Sequence, residues 1–162
     1  VFGRMKQPQP EIDEFEGAEA LFAALGVPGS TLPVEHYSQG PGHVFVELES
    51  ADAVAMLEPD FGALKRATDG GAVCFARDGK GWKMRTFVPG AGVNEDPATG
   101  SAAGPLALHL ARHERIAFGE EIEISQGAEM GRPSKLFAVA HSPEHIEVGG
   151  SAVIVARGEF KV

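Results

Sequence analysis

A run of small and apolar residues beginning near Ala102 constrains this chain more than any other feature. Leu106 and Leu110 share a helical face with Ala103, Ala107 and Ala111 beside them, and Leu108 lies on another face. A helix with one apolar stripe rests on a surface, whereas one that is apolar on several sides must be enclosed. The spacing predicts this helix over residues 102–113, or from 103, with Pro105 in its first turn, where the missing N–H does least harm.

The rest of the chain supplies short pieces to wrap around it. Residues 15–25 carry helical spacing and stop at Gly26. Ser50 is a fitting N-cap for a helix from Ala51 to Met56 or Leu57 that Pro59 ends, and 61–67 reads as a second short helix. Strands are predicted over 34–37, 44–48, 72–76, 82–88, 121–125, 135–140, 145–148 and 152–156, the last ones as a meander. Residues 1–6 also read as a strand, and 8–14 as a proline-containing acidic link. Repeating βα units are absent, so a doubly wound parallel sheet is disfavoured. The expected fold is α+β: a curled mixed or antiparallel sheet, an open barrel, wrapped around a central helix in a single domain.

Composition excludes several function classes. A net charge of −9 leaves no basic footprint for nucleic acid and disfavours an anionic membrane surface. The single cysteine, Cys74, allows no internal disulfide, fits a reducing, cytoplasmic compartment, and sits in an apolar strand as a buried thiol. No membrane span or signal-peptide pattern is present. The chain opens on Val1 rather than Met, as a fragment, a processed chain or a domain cut from a larger protein would.

The segment from Asn94 to Gly104 sits immediately before the enclosed helix and carries the chemistry. Unpaired N–H groups and the helix dipole both favour an anion at such an end. Asp96 lies a few residues upstream, within reach of a proton on whatever is held there, and Gly90, Gly92, Gly100 and Gly104 allow close approach. The competing reading is a helix cap made by Thr99 or Ser101. A phosphate loop would need Gly-Lys-Ser/Thr, and no lysine stands near Gly100. Glu95 and Asp96 are adjacent and point apart in extended chain, so a paired-carboxylate dyad is weak.

Other groups divide between function and packing. Arg132, in Gln126–Ser134, either braces the Asp96 loop, meets an acidic ligand, or simply pairs a carboxylate in a glycine-rich hairpin. His109 and His113 have zinc-compatible spacing, but Leu110 stands where a zinc protease needs Glu, so no metal is expected. His141 and His145 flank a surface turn. His36 and His43 sit beside loops, where either could line a cleft. Ser101 as an acyl-transfer nucleophile would need a positioned histidine, and the Gly-x-Ser-x-Gly elbow is absent.

The run Val93-Asn94-Glu95-Asp96-Pro97-Ala98-Thr99-Gly100-Ser101-Ala102, preceded by Arg85-Thr86-Phe87-Val88-Pro89-Gly90-Ala91-Gly92, resembles the signature of the PhzF-like isomerases of phenazine biosynthesis. Gln126-Gly127, Glu129-Met130-Gly131-Arg132-Pro133-Ser134 and Val148-Gly149-Gly150-Ser151-Ala152-Val153 are similar to that family's C-terminal pattern. The resemblance covers essentially the whole chain, weakly before residue 80. It implies a diaminopimelate epimerase-like half, from a family built of two similar domains with the active site between them. It further implies a cofactor-independent proton shift on a small amino or carboxylic acid such as a dihydro-hydroxyanthranilate.

By the same resemblance Asp96 and Ser101 are catalytic, and Gly100, Ser101 and Thr99 bind the substrate carboxylate. Arg132 and Glu95 give structural support. Family members are close to twice as long, and their N-terminal domain carries the acid/base glutamate and a Gly-His-Pro-Thr segment. Neither has a match here, since Gly42-His43 is followed by Val44. The chain therefore resembles the C-terminal domain only, inactive without its other half. Its expected partners are the small carboxylate and that N-terminal domain or a second copy, in a homo-oligomer. The rival expectation is a non-catalytic binding module for a small anion or partner that homodimerises through its uncovered cleft face.

Overall fold

The computed structural model describes residues 1–159. In chain order its elements are β1 (Phe2–Gln7), β2 (Glu11–Glu14), α1 (Ala18–Leu25), β3 (Glu35–Ser38), β4 (Gly42–Glu47), α2 (Ala51–Ala55), α3 (Phe61–Ala67), β5 (Gly71–Asp78), β6 (Gly81–Phe87), β7 (Glu95–Asp96), α4 (Gly100–Arg112), β8 (Glu121–Gln126), β9 (Ser134–Ser142) and β10 (His145–Ser151). The strands form one mixed sheet in the order β1-β10-β9-β8-β6-β5-β4-β3-β2, with β7 paired to β6. The β4–β5 and β6–β8 pairs are parallel and the rest antiparallel. The two edges stay apart, so the barrel is open as expected.

Period-two alternation sorts the side chains of β4 and β5 onto two covered faces. Phe45, Val73 and Phe75 point inward to α4, where Tyr37, Trp82, Met84, Ile122, Ile124, Ala138 and Ile146 join them. Val44, Val46, Ala72 and Cys74 point outward under α1, α2 and α3 with Leu21, Leu25, Val54 and Leu64. Every residue of α4 from Ala102 to Ala111 is buried. The enclosed helix was legible in the sequence for that reason. Burial also pushes the Cys74 thiol up to about 12, the state of an unreactive core cysteine.

Four expectations need correction. Pro105 is the sixth residue of α4, in the second turn, because the helix begins at Gly100. The lost N–H leaves the Ser101 carbonyl without its helical donor, and Gln39 Nε2 donates to it instead at 2.9 Å. The acidic link holds a strand, β2, because β3 offers it a free edge. Residues 152–156 form no strand, although Ala152 N–H still donates to the Val1 carbonyl at 2.7 Å. Finally, α1 starts at Ala18, after an N-cap at Gly17.

Candidate active site

The mouth of α4 is built by chain segments that are distant in sequence. Hairpin partner β6 pairs with β7, setting Asp96 opposite Thr86 and Glu95 opposite Phe87. Arg85, itself buried, holds Glu95 in a two-point contact, Nε to Oε1 at 2.9 Å and Nη2 to Oε2 at 2.8 Å. Its Nη1 also donates to the carbonyls of Ala55 and Leu57 at the end of α2. Glu95 thus anchors the loop to the outer layer, leaving its neighbour Asp96 half-exposed.

Gln126 fastens the other side of the loop. Its side-chain oxygen accepts from Thr99 N–H at 2.8 Å. Its amide donates to the Asp96 carbonyl at 2.7 Å and to Thr99 Oγ1 at 2.9 Å. Thr99 Oγ1 in turn donates to Asp96 Oδ2 at 2.8 Å. Ser134 Oγ donates to the Pro97 carbonyl at 3.0 Å. Gly127 lies so close to the Pro97 and Arg132 carbonyls that any side chain there would collide with both, and its φ of 81° is itself in the left-handed region.

These contacts reassign two residues. Thr99, expected at the substrate, has its N–H and hydroxyl both occupied inside the protein, so it shapes the loop. Arg132 is exposed, and its side chain makes no hydrogen bond or ion pair among the described residues. Gln126 does the bracing expected of Arg132, because its position at the end of β8 faces the loop while the arginine follows the turn outward. Gln126 lay inside the segment singled out in the sequence, but an arginine carries a louder signal than a glutamine.

What remains open is the helix end itself. Thr99 makes no side-chain cap. The N–H groups of Gly100 and Ser101 have no hydrogen-bond acceptor among the described residues, and both residues are only partly buried. The first turn holds no acidic side chain. Beneath it, Gln7 Nε2 donates to the Gly100 carbonyl at 2.9 Å, over Gly104, where any side chain would collide with Gln7. His43, from β4, sets Nε2 3.0 Å from Ser101 Oγ. Loss of hydration on burial pulls His43 down to about 4, with His36 adding to the effect and Asp96 opposing it. The ring is therefore neutral at neutral pH. Beside the mouth lies an apolar hollow lined by Met5, Gly100, Leu136 and Val148.

A second polar cluster sits at the far end of the same helix. Glu35 receives Arg112 Nη1 at 2.6 Å, His113 Nε2 at 3.0 Å, Tyr37 Oη at 3.0 Å and lies 3.2 Å from His109 Nδ1. Burial raises its pKa, yet the hydrogen bonds from His109, Arg112, His113 and Tyr37 outweigh that and hold it well below the usual carboxylate range. Glu35, His109 and His113 gather closely enough to suggest a metal, but the Arg112 guanidinium already supplies the cation there. Among the described residues no helix is long and apolar enough to cross a membrane.

A curled mixed sheet enclosing one helix, with an uncapped helix mouth beside a loop-held aspartate, defines the class of molecule. Residues 1–158 match the family model of phenazine biosynthesis-like proteins, PhzC-PhzF, and the chain belongs to that family. It is 49% identical to a trans-2,3-dihydro-3-hydroxyanthranilate isomerase of Pseudomonas aeruginosa, over 95% of this chain and 57% of that protein. A protein of the same name from Pseudomonas fluorescens is 49% identical over 98% of this chain and 58% of its own length. The chain thus spans a little over half the length of these relatives. Among solved structures, a predicted epimerase of Pseudomonas aeruginosa superposes with a TM-score of 0.75 at 26% identity, over 99% of this chain and 59% of that one. A PhzF-family protein of Bacillus anthracis shares the fold with a TM-score of 0.74 at 22% identity, over 99% of this chain and 61% of its own.

Proposed function

We propose that this chain forms the carboxylate-gripping half of a cofactor-independent isomerase that shifts a proton on a small cyclic amino acid of the dihydro-hydroxyanthranilate class. The observation that carries the reading is the pair of unpaired N–H groups at Gly100 and Ser101, open at a helix N-terminus, with Asp96 held beside them. The name of these relatives supplies the substrate class, and the apolar hollow at Met5, Leu136 and Val148 suits a carbocyclic ring.

In this reading the substrate carboxylate lies on the Gly100 and Ser101 amides, where dipole and donors both stabilise it. One Asp96 oxygen is fixed by Thr99, which leaves the other to take a polar hydrogen of the substrate and orient the reacting carbon. A proton shift at carbon needs a base within about 3 Å of that proton. That acid/base group belongs, in this proposal, to the part of the relatives that the chain does not span, so turnover requires an N-terminal domain to close the cleft.

The test is an isomerase assay on trans-2,3-dihydro-3-hydroxyanthranilate with the chain joined to that N-terminal part. Asp96→Asn is expected to lower kcat by at least about 100-fold, the scale of a misplaced reacting group, with an unchanged melting curve. Turnover at the unsubstituted rate would refute the role. A second reading rests on exposed apolar side chains at Phe2, Met5, Val153, Ile154 and Val155. Such a strip suits a covering partner, and a non-catalytic module would pair through it as a homodimer. Sedimentation of the chain alone distinguishes the two, since only the second reading requires a stable dimer.

A further inference from the structure

The contact between His43 Nε2 and Ser101 Oγ has two chemical forms. In one, the serine donates to an unprotonated Nε2 and the ring carries its proton on Nδ1. In the other, Nε2–H donates to the serine oxygen and Nδ1 keeps a lone pair. The surroundings of Nδ1 separate them. This atom is buried and has no hydrogen-bond partner among the described residues. It faces the empty side-chain position of Gly71, where a Cβ would lie 2.9 Å from Nδ1, 3.2 Å from Val88 Cγ1 and 3.4 Å from Thr86 Cγ2. The nearest neighbours of that position besides the ring are methyl carbons of Val88 and Thr86. A buried N–H with no acceptor is rarer and costlier than a buried lone pair with no donor. The ring is also neutral, so it cannot carry both protons.

We propose that His43 is a positioning residue that donates Nε2–H to Ser101 Oγ and so turns the serine's own hydrogen into the site, toward an oxygen of the ligand. The proposal rests on the reading that the α4 mouth holds an anion. Three donors then converge there: the Gly100 N–H, the Ser101 N–H and the Ser101 O–H. Such a set accepts a group made only of acceptors, a carboxylate, and refuses an ammonium at the same point. It also removes Ser101 from the list of nucleophiles, because a serine is activated only by a histidine nitrogen free to take its proton. Gly71 becomes a requirement of the arrangement, since a side chain there would push the ring away from Ser101.

Long-range proton–nitrogen correlation spectra of the 15N-labelled chain at neutral pH read the tautomer directly. The expected pattern is a protonated Nε2 and an unprotonated Nδ1 for the signal that disappears in His43→Gln. A proton on Nδ1, or a doubly protonated ring, overturns the proposal. Benzoate, titrated against the amide signals of Gly100 and Ser101, tests the consequence. His43→Gln places an amide N–H near the Nε2 position and should bind benzoate within about threefold of the unsubstituted chain. His43→Ala and His43→Asn, which cannot reach, should bind about five- to tenfold more weakly, the scale of one lost hydrogen bond. Equal affinity across all four proteins, each with the native amide pattern elsewhere, overturns the positioning role. Benzylamine should leave the Ser101 signal unmoved. A protonated Nε2 together with no response to benzoate in the unsubstituted chain would sink the anion-site reading and leave the hydrogen-bond direction standing.

Discussion

The two ends of α4 carry similar residue types in opposite states. At its C-terminus Glu35, Arg112, His109, His113 and Tyr37 bond to one another, with His109 Nε2 the one buried polar atom left unpartnered among the described residues there, so the Glu35 charge is matched and the helix dipole meets the Arg112 guanidinium. At its N-terminus Gly100, Ser101 and Asp96 keep hydrogen-bonding capacity that no other described residue uses, while Gln126, Thr99 and Arg85 lock the surrounding backbone. A closed network stabilises a fold, whereas an open one held rigid from behind is pre-organised for a ligand. The difference separates a structural cluster from a candidate site more sharply than residue type does. Both ends hold histidines and carboxylates.

Breaking the loop lock should have the largest effect on stability. Gln126→Ala leaves the buried Thr99 N–H and the part-buried Asp96 carbonyl unpaired, and is expected to cost about 2–4 kcal/mol in chemical denaturation. A loss below about 1 kcal/mol would mean that the loop is held by something else. At the other end, Glu35→Gln keeps the shape but leaves Arg112 uncompensated. Because that guanidinium is partly exposed, a loss of about 1–3 kcal/mol is expected by the same measurement.

Acid titration of stability should separate the histidine contributions from that of Glu35 by pH. His43 has a folded-state value below its unfolded one of about 6.5, so its contribution is complete above that pH and is lost on falling to about 4. Glu35 is also depressed, from an unfolded value of about 4.3, so its contribution survives to that pH and is lost only below it. Melting curves from pH 8 to pH 3 should therefore weaken in two stages, by about 2–3 kcal/mol in the upper one. His43→Gln should shrink the upper stage alone, leaving the part that belongs to His109, which burial also holds below its ordinary value. The smallest effect is expected at Arg132, whose replacement by Ala should change stability by no more than about 0.5 kcal/mol. A larger loss would restore it as a brace.

Local signals in the sequence were enough for most elements. The alternation in β4 and β5, the Ser50 cap of α2, whose Oγ accepts from Ala53 N–H at 3.1 Å, and the all-round apolar α4 each follow from near neighbours. The motif around Asp96 was also visible, since glycines, a carboxylate and a helix start lie within a few residues. The acidic stretch before α1 misled, because β2 owes its existence to the edge of β3 rather than to its own pattern. Pro105 misled too, because Gln39 repairs the broken helix from outside it.

The residue order alone determined an enclosed helix inside a curled α+β sheet, and it marked the mouth of that helix, because both depend on periodicity and turn chemistry over short spans. Only the tertiary structure decided which side chains serve that mouth. Gln7, His43 and Gln126 reach it across separations of 93, 58 and 27 residues, and such meetings depend on how the sheet curls. No local pattern contains that curvature. It emerges when both faces of the central strands are buried at once.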